Sequence, residues 1–157
     1  PLALVELQGY AYDAKRRLAR IHRLLGNEAR AAELDAQATR LRERVNDAFW
    51  WESEGTYVLG LDGQKRPIRT VASNAGHLLH SGIVPRDRAR RVAERLLAPD
   101  CWSGWGIRTL SSDHPAYNPF SYHTGTVWPH DNAIIAGGNS AATSLEAPIA
   151  SRTGRST

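Results

Sequence analysis

Apolar residues recur at helical spacing over the first third of the chain. Between residues 3 and 25 they are separated by three or four positions, which places them on one face of a helix. This stripe consists of Leu4, Leu7, Ala11, Ala14, Leu18, Ile21 and Leu25. A second stripe, in a helix predicted over 28–49, consists of Ala31, Leu34, Ala38, Leu41, Val45 and Ala48. The link between them, at Gly26 and Asn27, is so short that we expect an antiparallel helix pair.

The next segment, residues 50–69, has turn signals and a strand-like run in place of helical spacing. Two turn signals, Glu54-Gly55 and Asp62-Gly63, flank the strand-like run 56–59, so we expect a small β-hairpin within 50–69. Helical patterns then return over 73–80 and 85–97. The pattern as a whole predicts a mainly α fold of paired antiparallel helices, with a small β-hairpin insertion and long loops between helices.

A long irregular segment, 100–126, precedes a last helix that we expect to begin near Thr126. From Gly137-Gly138 onward the apolar period is lost. We therefore expect one partial domain over residues 1–138 and a disordered or atypical tail over residues 139–157.

Composition narrows the class of protein. The 157 residues include one cysteine and no methionine, so an internal disulfide is excluded and we expect the chain to be a piece of a longer protein. Neither a membrane-spanning apolar run nor a secretory signal is seen, so we expect a cytoplasmic protein without a membrane partner. The net charge of +4 is a small excess of 20 basic over 16 acidic residues.

Half of the twelve aromatic residues (5 Trp, 5 Tyr and 2 Phe) lie between Trp102 and Trp128. They alternate with imidazole, guanidinium and carboxyl side chains. Flat aromatic faces bind the C–H faces of sugar rings, while such polar groups hold hydroxyls, so the segment indicates a carbohydrate site. The alternative is that the tryptophans fill a core beneath the loop.

Two motifs in this sequence resemble a known family. They are Glu-x-Gln-Gly-Tyr at residues 6–10 and Ser-Tyr-His-x-Gly-x-Val-Trp-Pro-His-Asp-Asn at residues 121–132. With residues 97–100 and 103–110, they resemble the bacterial amylo-α-1,6-glucosidases, which are similar to glycogen-debranching enzymes. The resemblance covers residues 1–138 and implies part of an (α/α)6 toroid whose inter-helix loops bind an α-glucan or oligosaccharide.

The resemblance also implies an inverting acid/base mechanism, in which two carboxyl groups stand roughly 6.5–9.5 Å apart. The acidic blocks that this family uses do not occur in the sequence, so we expect both catalytic carboxylates outside the chain and no activity from the chain alone. The predicted substrate-binding residues are Glu6, Gln8, Trp105, Arg108, Tyr122, His123, Trp128 and His130.

Two of these assignments have alternatives, and the role of Asp131 is open as well. Glu6 could simply favour the helix N-terminus, and Arg108 could form a structural ion pair. Asp131, the one acid in the densest motif, either orients His130 or Arg108 or acts as a catalytic base.

No metal-binding spacing and no cofactor motif is present, so we predict neither a metal nor a cofactor. Two other classes of protein stay open beside the glycosidase. One is a helical-hairpin interaction module of the repeat type, suggested by the first helix pair. The other is a basic nucleic-acid-binding domain, although we predict no nucleic-acid partner. The oligomeric state is not predicted.

Overall fold

The computed structural model describes residues 2–144, with side chains through residue 138, and that part of the chain is mainly helical. Its helices are α1 (Val5–Leu24), α2 (Glu28–Ala48), α3 (Asn74–Ser81), α4 (Arg86–Leu96) and α5 (Pro129–Ser144). The five helices that the apolar periods predict are therefore found. α5 continues through Gly137 and Gly138 and includes residues 139–144, the first part of the predicted tail. The rest of the predicted tail, from residue 145, lies outside the described residues.

Short strands replace the single predicted hairpin. They are β1 (Ala3–Leu4), β2 (Trp50–Trp51), β3 (Thr56–Tyr57), β4 (Gly60–Leu61) and β5 (Pro67–Ile68). β2 pairs with β3, while β4 lies between β1 and β5 in a separate antiparallel sheet. The pairing of β1 with β4 fixes the start of α1, and a Cβ at Gly60 would lie 2.7 Å from the Ala3 carbonyl oxygen. Glycine is therefore required at that crossing.

The helices form two layers. α3 packs between α1 and α5, whereas α2 packs on α1 and α4 on α3. Near its start α3 contacts the start of α5, where His77 meets Asp131. Further along both helices, the backbone of His80 lies against Gly138. The two helices therefore run parallel. We call α1, α3 and α5 the inner helices. The largest fully buried side chains include Tyr57, Leu78, Ile83, Leu96 and Ile135.

Glycines allow the inner helices to approach closely. A Cβ on Gly9 of α1 would lie 2.9 Å from Leu78 Cδ2, and one on Gly76 of α3 would lie 2.7 Å from Ile135 Cγ1. Real Cβ atoms do not come that close to a carbon atom, so a side chain at either position would force Leu78 or Ile135 to shift.

The apolar stripe predicted for α1 does not face the core. Leu7 is 53% exposed and Ile21 is 50% exposed, while the buried positions of α1 are Val5, Gly9 and Ala19. The reason is that α1 packs closely on α2 and α3 through its small residues, which leaves the larger ones on the opposite side. No element among residues 2–144 covers that side.

We expect this uncovered face to make the protein bind apolar dyes and self-associate. The double substitution Leu18→Glu and Ile21→Glu should reduce the fluorescence of a bound anilinonaphthalene dye severalfold while leaving the thermal midpoint within a few degrees, because both side chains are exposed. The control is Leu34→Glu, at a buried position of α2, which should unfold the protein. A loss of stability as large in the α1 variant as in the control would contradict the exposure of this face.

No helix of residues 2–144 is both long and apolar enough to cross a bilayer.

Candidate functional site

The aromatic segment after α4 is held to the helices by a largely buried ion pair. Arg95 donates to both oxygens of Asp100, with Nη1–Oδ1 at 2.9 Å and Nη2–Oδ2 at 3.0 Å, and the Ser111 hydroxyl donates to the same carboxylate. Burial by itself would raise the pKa of Asp100, but these hydrogen bonds outweigh it and lower the pKa to about 2. The segment therefore starts from a rigid anchor.

This anchor predicts a specific loss of stability in acid. Because the pKa of Asp100 is lower in the folded protein than the ordinary value near 3.8, the carboxylate stabilises the fold above that value. The contribution, about 1–2 kcal/mol, is lost as the pH falls from about 5 to about 2. Asp100→Asn should flatten the pH dependence of the thermal midpoint in that range, and Asp113→Asn, at an exposed position of the same segment, should leave it unchanged. Parallel pH curves for Asp100→Asn and wild type would contradict the prediction.

A side-chain amide fastens the middle of the segment to α5. Asn132 accepts a hydrogen bond from the Ile107 amide at 2.7 Å and donates to the carbonyl oxygens of Ile107 and Trp128 at 3.1 and 3.0 Å. Asn132 thus ties the backbone at Ile107 to the start of α5, and it also holds the residue just before that helix, Trp128, in position.

Four predicted site residues form one ring cluster, which we call the aromatic platform: Tyr122, His123, Trp128 and His130. The Trp128 ring centroid lies 4.7 Å from that of Tyr122 and 5.1 Å from those of His123 and His130, and the last pair is stacked. Tyr122 is 69% exposed and both imidazoles are also exposed. The platform therefore presents ring surface to solvent and does not fill a core.

Two further predicted residues lie apart from the platform. Trp105 is 95% exposed on a turn closed by hydrogen bonds to Ser103, and no ring contact joins it to the platform within the described residues. Arg108 pairs with Val127 in an isolated antiparallel bridge and donates weakly to the Pro99 carbonyl oxygen at 3.4 Å. Their predicted roles in sugar binding stay predictions.

The start of α1 places its two predicted residues differently. Gln8 donates from its side-chain amide to the Leu4 carbonyl oxygen at 3.1 Å, so it satisfies the backbone of its own helix. Glu6 is half-buried, and its Oε2 atom is buried without a hydrogen-bond partner among the described residues. A buried carboxylate oxygen without a donor is costly, so the hydrogen-bonding requirement of Glu6 is not met within the described residues.

A buried hydrogen-bond chain connects the three inner helices, and we call it the polar relay: Tyr10, His77 and Asp131. Tyr10 Oη contacts His77 Nδ1, and His77 Nε2 contacts Asp131 Oδ1. His77 and Asp131 are buried in the first turns of α3 and α5, while Tyr10 reaches solvent from the second turn of α1. The partner of Asp131 is thus His77, and neither Arg108 nor His130 forms a hydrogen bond with it among those the structure shows.

Electrostatics favour one protonation state at each end of the polar relay. Burial by itself would raise the pKa of Asp131, but hydrogen bonds from His77 and Ser73 hold it below its ordinary value. Burial and the negative charge of Glu6 raise the pKa of Tyr10 above its ordinary value. At neutral pH the relay therefore holds a carboxylate at one end and a protonated phenol at the other.

Sequence reasoning missed Tyr10 and His77 as site residues. Tyr10 stands in the Glu-x-Gln-Gly-Tyr motif, which is the one signal that could have identified it. His77 belongs to no motif, and only the packing of α3 between α1 and α5 brings it to Asp131. Among residues 2–144, no group of three or more metal-ligating side chains comes together.

Comparison with known proteins identifies the family of the chain. The model of the mannosylglycerate hydrolase MGH1-like glycoside hydrolase domain matches residues 2–153. A mannosylglycerate hydrolase of Rubrobacter radiotolerans is 34% identical over 120 residues, which are 73% of this chain and 26% of that protein.

Solved structures show the same fold. The mannosylglycerate hydrolase of Thermus thermophilus, in complex with glucose, superposes with a TM-score of 0.77 at 21% identity, over 90% of this chain and 33% of that one. The neutral trehalase of Saccharomyces cerevisiae superposes with a TM-score of 0.75 at 14% identity, over 92% of this chain and 29% of that one.

These structural neighbours are glycosidases of the α/α toroid type, the fold that the family resemblance implies. The chain spans about a quarter of the length of the curated relative and about a third of the similar solved structures. The resemblance to glycosidases is therefore confirmed, whereas the narrower assignment to amylo-α-1,6-glucosidases is not supported. The chain belongs to the MGH1-like family of glycoside hydrolase domains.

Proposed function

We propose that this chain forms one wall of the sugar site of a glycoside hydrolase that cleaves small α-hexosides. The observation that carries the proposal is the aromatic platform, whose exposed rings stand next to the polar relay at the N-terminal ends of the inner helices. A sugar ring has apolar C–H faces and a rim of hydroxyl groups, and an exposed ring cluster beside oriented oxygen acceptors complements both.

The parts of this wall have distinct tasks. Trp128, held in place by Asn132, offers its face to one side of a hexose ring. Glu6, half-buried in the first turn of α1, accepts a hydrogen bond from a sugar hydroxyl through its carboxylate. Each hydroxyl contact fixes the orientation of the ring, so the wall positions the glycosidic bond for hydrolysis.

The substrate that best fits the family is a mannosylglycerate-like glycoside, in which a hexose is linked to a small hydroxy acid. Support comes from the family model and from the Rubrobacter relative, whose name gives that activity. The α-1,6-linked glucan predicted from the sequence motifs is the alternative substrate, and the two differ in the carboxylate that only the first carries.

Hydrolysis by inversion needs two carboxyl groups on opposite sides of the bond, roughly 6.5–9.5 Å apart. Asp131 is buried and already accepts a hydrogen bond from His77, and Glu6 has the role of binding a hydroxyl. We therefore place the acid/base pair in the remainder of the parent enzyme and expect this chain to bind its substrate without cleaving it.

Calorimetric titration of the chain with mannosylglycerate and with isomaltose tests this proposal. We expect dissociation constants in the millimolar range, about −4 kcal/mol, with mannosylglycerate bound more tightly. Glycerol serves as a hydroxyl-bearing control that should not bind. Absence of binding to both sugars would contradict the sugar site, tighter binding of isomaltose would favour the α-glucan alternative, and rapid hydrolysis of either would contradict the location of the acid/base pair.

A further inference from the structure

The polar relay joins one residue from each inner helix and ends at a solvent-exposed phenol. His77 and Asp131 are 8% and 6% exposed, so they cannot reach a substrate themselves, whereas Tyr10 is 39% exposed. The Tyr10 and His77 ring centroids are 5.9 Å apart in an edge-on arrangement. A buried chain that ends at an exposed tyrosine suggests a task for the hydroxyl group of that tyrosine.

The carboxylate at the buried end fixes the direction of its own hydrogen bond. A carboxylate only accepts hydrogen bonds, so His77 Nε2 carries a proton and donates a hydrogen bond to Asp131 Oδ1. The second hydrogen bond of the chain depends on the other imidazole nitrogen: in a neutral imidazole Nδ1 is an acceptor, and Tyr10 O–H then donates to it. In that state the hydroxyl proton of Tyr10 points to His77, and the phenol oxygen is free to accept.

We propose that His77 and Asp131 are positioning residues that make Tyr10 a hydrogen-bond acceptor for a hydroxyl group of the bound sugar. Without the relay the phenol hydroxyl would rotate freely and would compete as a donor. The inference rests on the proposed function for the identity of the ligand, but the direction of the hydrogen bonds does not depend on it.

The neighbouring charges agree with this polarity. Burial, the negative charge of Glu6 one turn before Tyr10, and Asp131 together keep the pKa of Tyr10 raised. Burial opposes the lowering of the Asp131 pKa, which comes mainly from the hydrogen bonds of His77 and Ser73, and the neighbouring His130 adds to it. Tyr10 and Glu6 then offer two acceptors, side by side, to adjacent hydroxyls.

The first test is the protonation pattern of the imidazole, which does not need a ligand. Nitrogen-15 NMR of the chain should show His77 as the neutral tautomer with its proton on Nε2. In Asp131→Asn the amide can donate as well as accept, so we expect a mixture of the two tautomers. A proton on Nδ1 of His77 in the wild-type chain, or an imidazolium, would overturn the proposal whether or not the chain binds sugar.

The second test is a double-mutant cycle on the affinity for mannosylglycerate. Asp131→Asn and Tyr10→Phe should each weaken binding about five- to tenfold, and the double variant should bind no more weakly than the weaker single variant. Tyr12→Phe, at a half-buried tyrosine of the same helix, should bind like wild type. Additive losses, or a lower thermal midpoint of Asp131→Asn with unchanged affinity, would overturn the positioning role. If the wild-type chain binds no sugar, the proposed function fails and the tautomer alone decides whether the relay is polarised.

Discussion

Replacing Gly138 by alanine is expected to lower the free energy of unfolding by about 2–3 kcal/mol. A Cβ at this position would overlap the His80 amide nitrogen and would lie 2.7 Å from the Leu79 carbonyl carbon. Because these are backbone atoms of α3, no side-chain rotation can relieve the overlap. The two helices must separate, and the contact of Gly76 with Ile135 is lost with them.

The adjacent glycine is a matched control. A Cβ on Gly137 would lie 3.7 Å from His80 Nδ1, an ordinary contact, so Gly137→Ala should stabilise the protein by up to about 1 kcal/mol through helix propensity. Denaturant titration of both variants measures the difference. Equal stabilities for the two variants would contradict the close packing of α3 on α5.

Replacing Trp128 by alanine is expected to weaken sugar binding about 10- to 100-fold, equivalent to roughly 1.4–2.7 kcal/mol. Trp128 touches all three other rings of the platform, so its loss removes both its own stacking face and the support of its neighbours. Its backbone contact with Asn132 remains, so the loop keeps its anchor.

The control for this prediction is Phe120→Ala. Phe120 is 96% exposed in the same segment and belongs to no ring contact shown among the described residues, so its removal should change the affinity less than twofold. Titration calorimetry with mannosylglycerate compares the two variants. An affinity loss for Phe120→Ala as large as for Trp128→Ala would show that the platform has no special role.

Local patterns predicted the helices well because each one depends on spacing within a single segment. The same patterns could not show which face of α1 is buried. Its larger apolar residues form the more regular stripe, yet close packing selects the face with Val5, Gly9 and Ala19. The choice of face depends on how closely the helices approach each other. Glycines allow the close approach, and a pattern of hydrophobic residues does not show it. For the same reason the loss of apolar period at Gly137-Gly138 did not show that Gly138 packs closely against the backbone of α3.

The candidate site divides in the same way. Tyr122, His123, Trp128 and His130 lie within one dense motif, so their clustering follows from the sequence, and the structure brings them together. The partner of Asp131 lies 54 positions away in a segment without any motif. Only the position of α3 between α1 and α5 brings the two residues together. The sequence could therefore identify Asp131 as a candidate residue but could not predict that it binds His77.

The most direct test of the account is where a sugar binds. The chain has five tryptophans, whose indole N–H signals report separately in a nitrogen-15 NMR titration with mannosylglycerate. Binding at the aromatic platform should shift the Trp128 signal and leave those of Trp50 and Trp51, which belong to β2 and the small sheet, in place. Shifts at Trp50 and Trp51 with an unchanged Trp128, or no shift at any tryptophan, would contradict the sugar site proposed for this glycoside hydrolase domain.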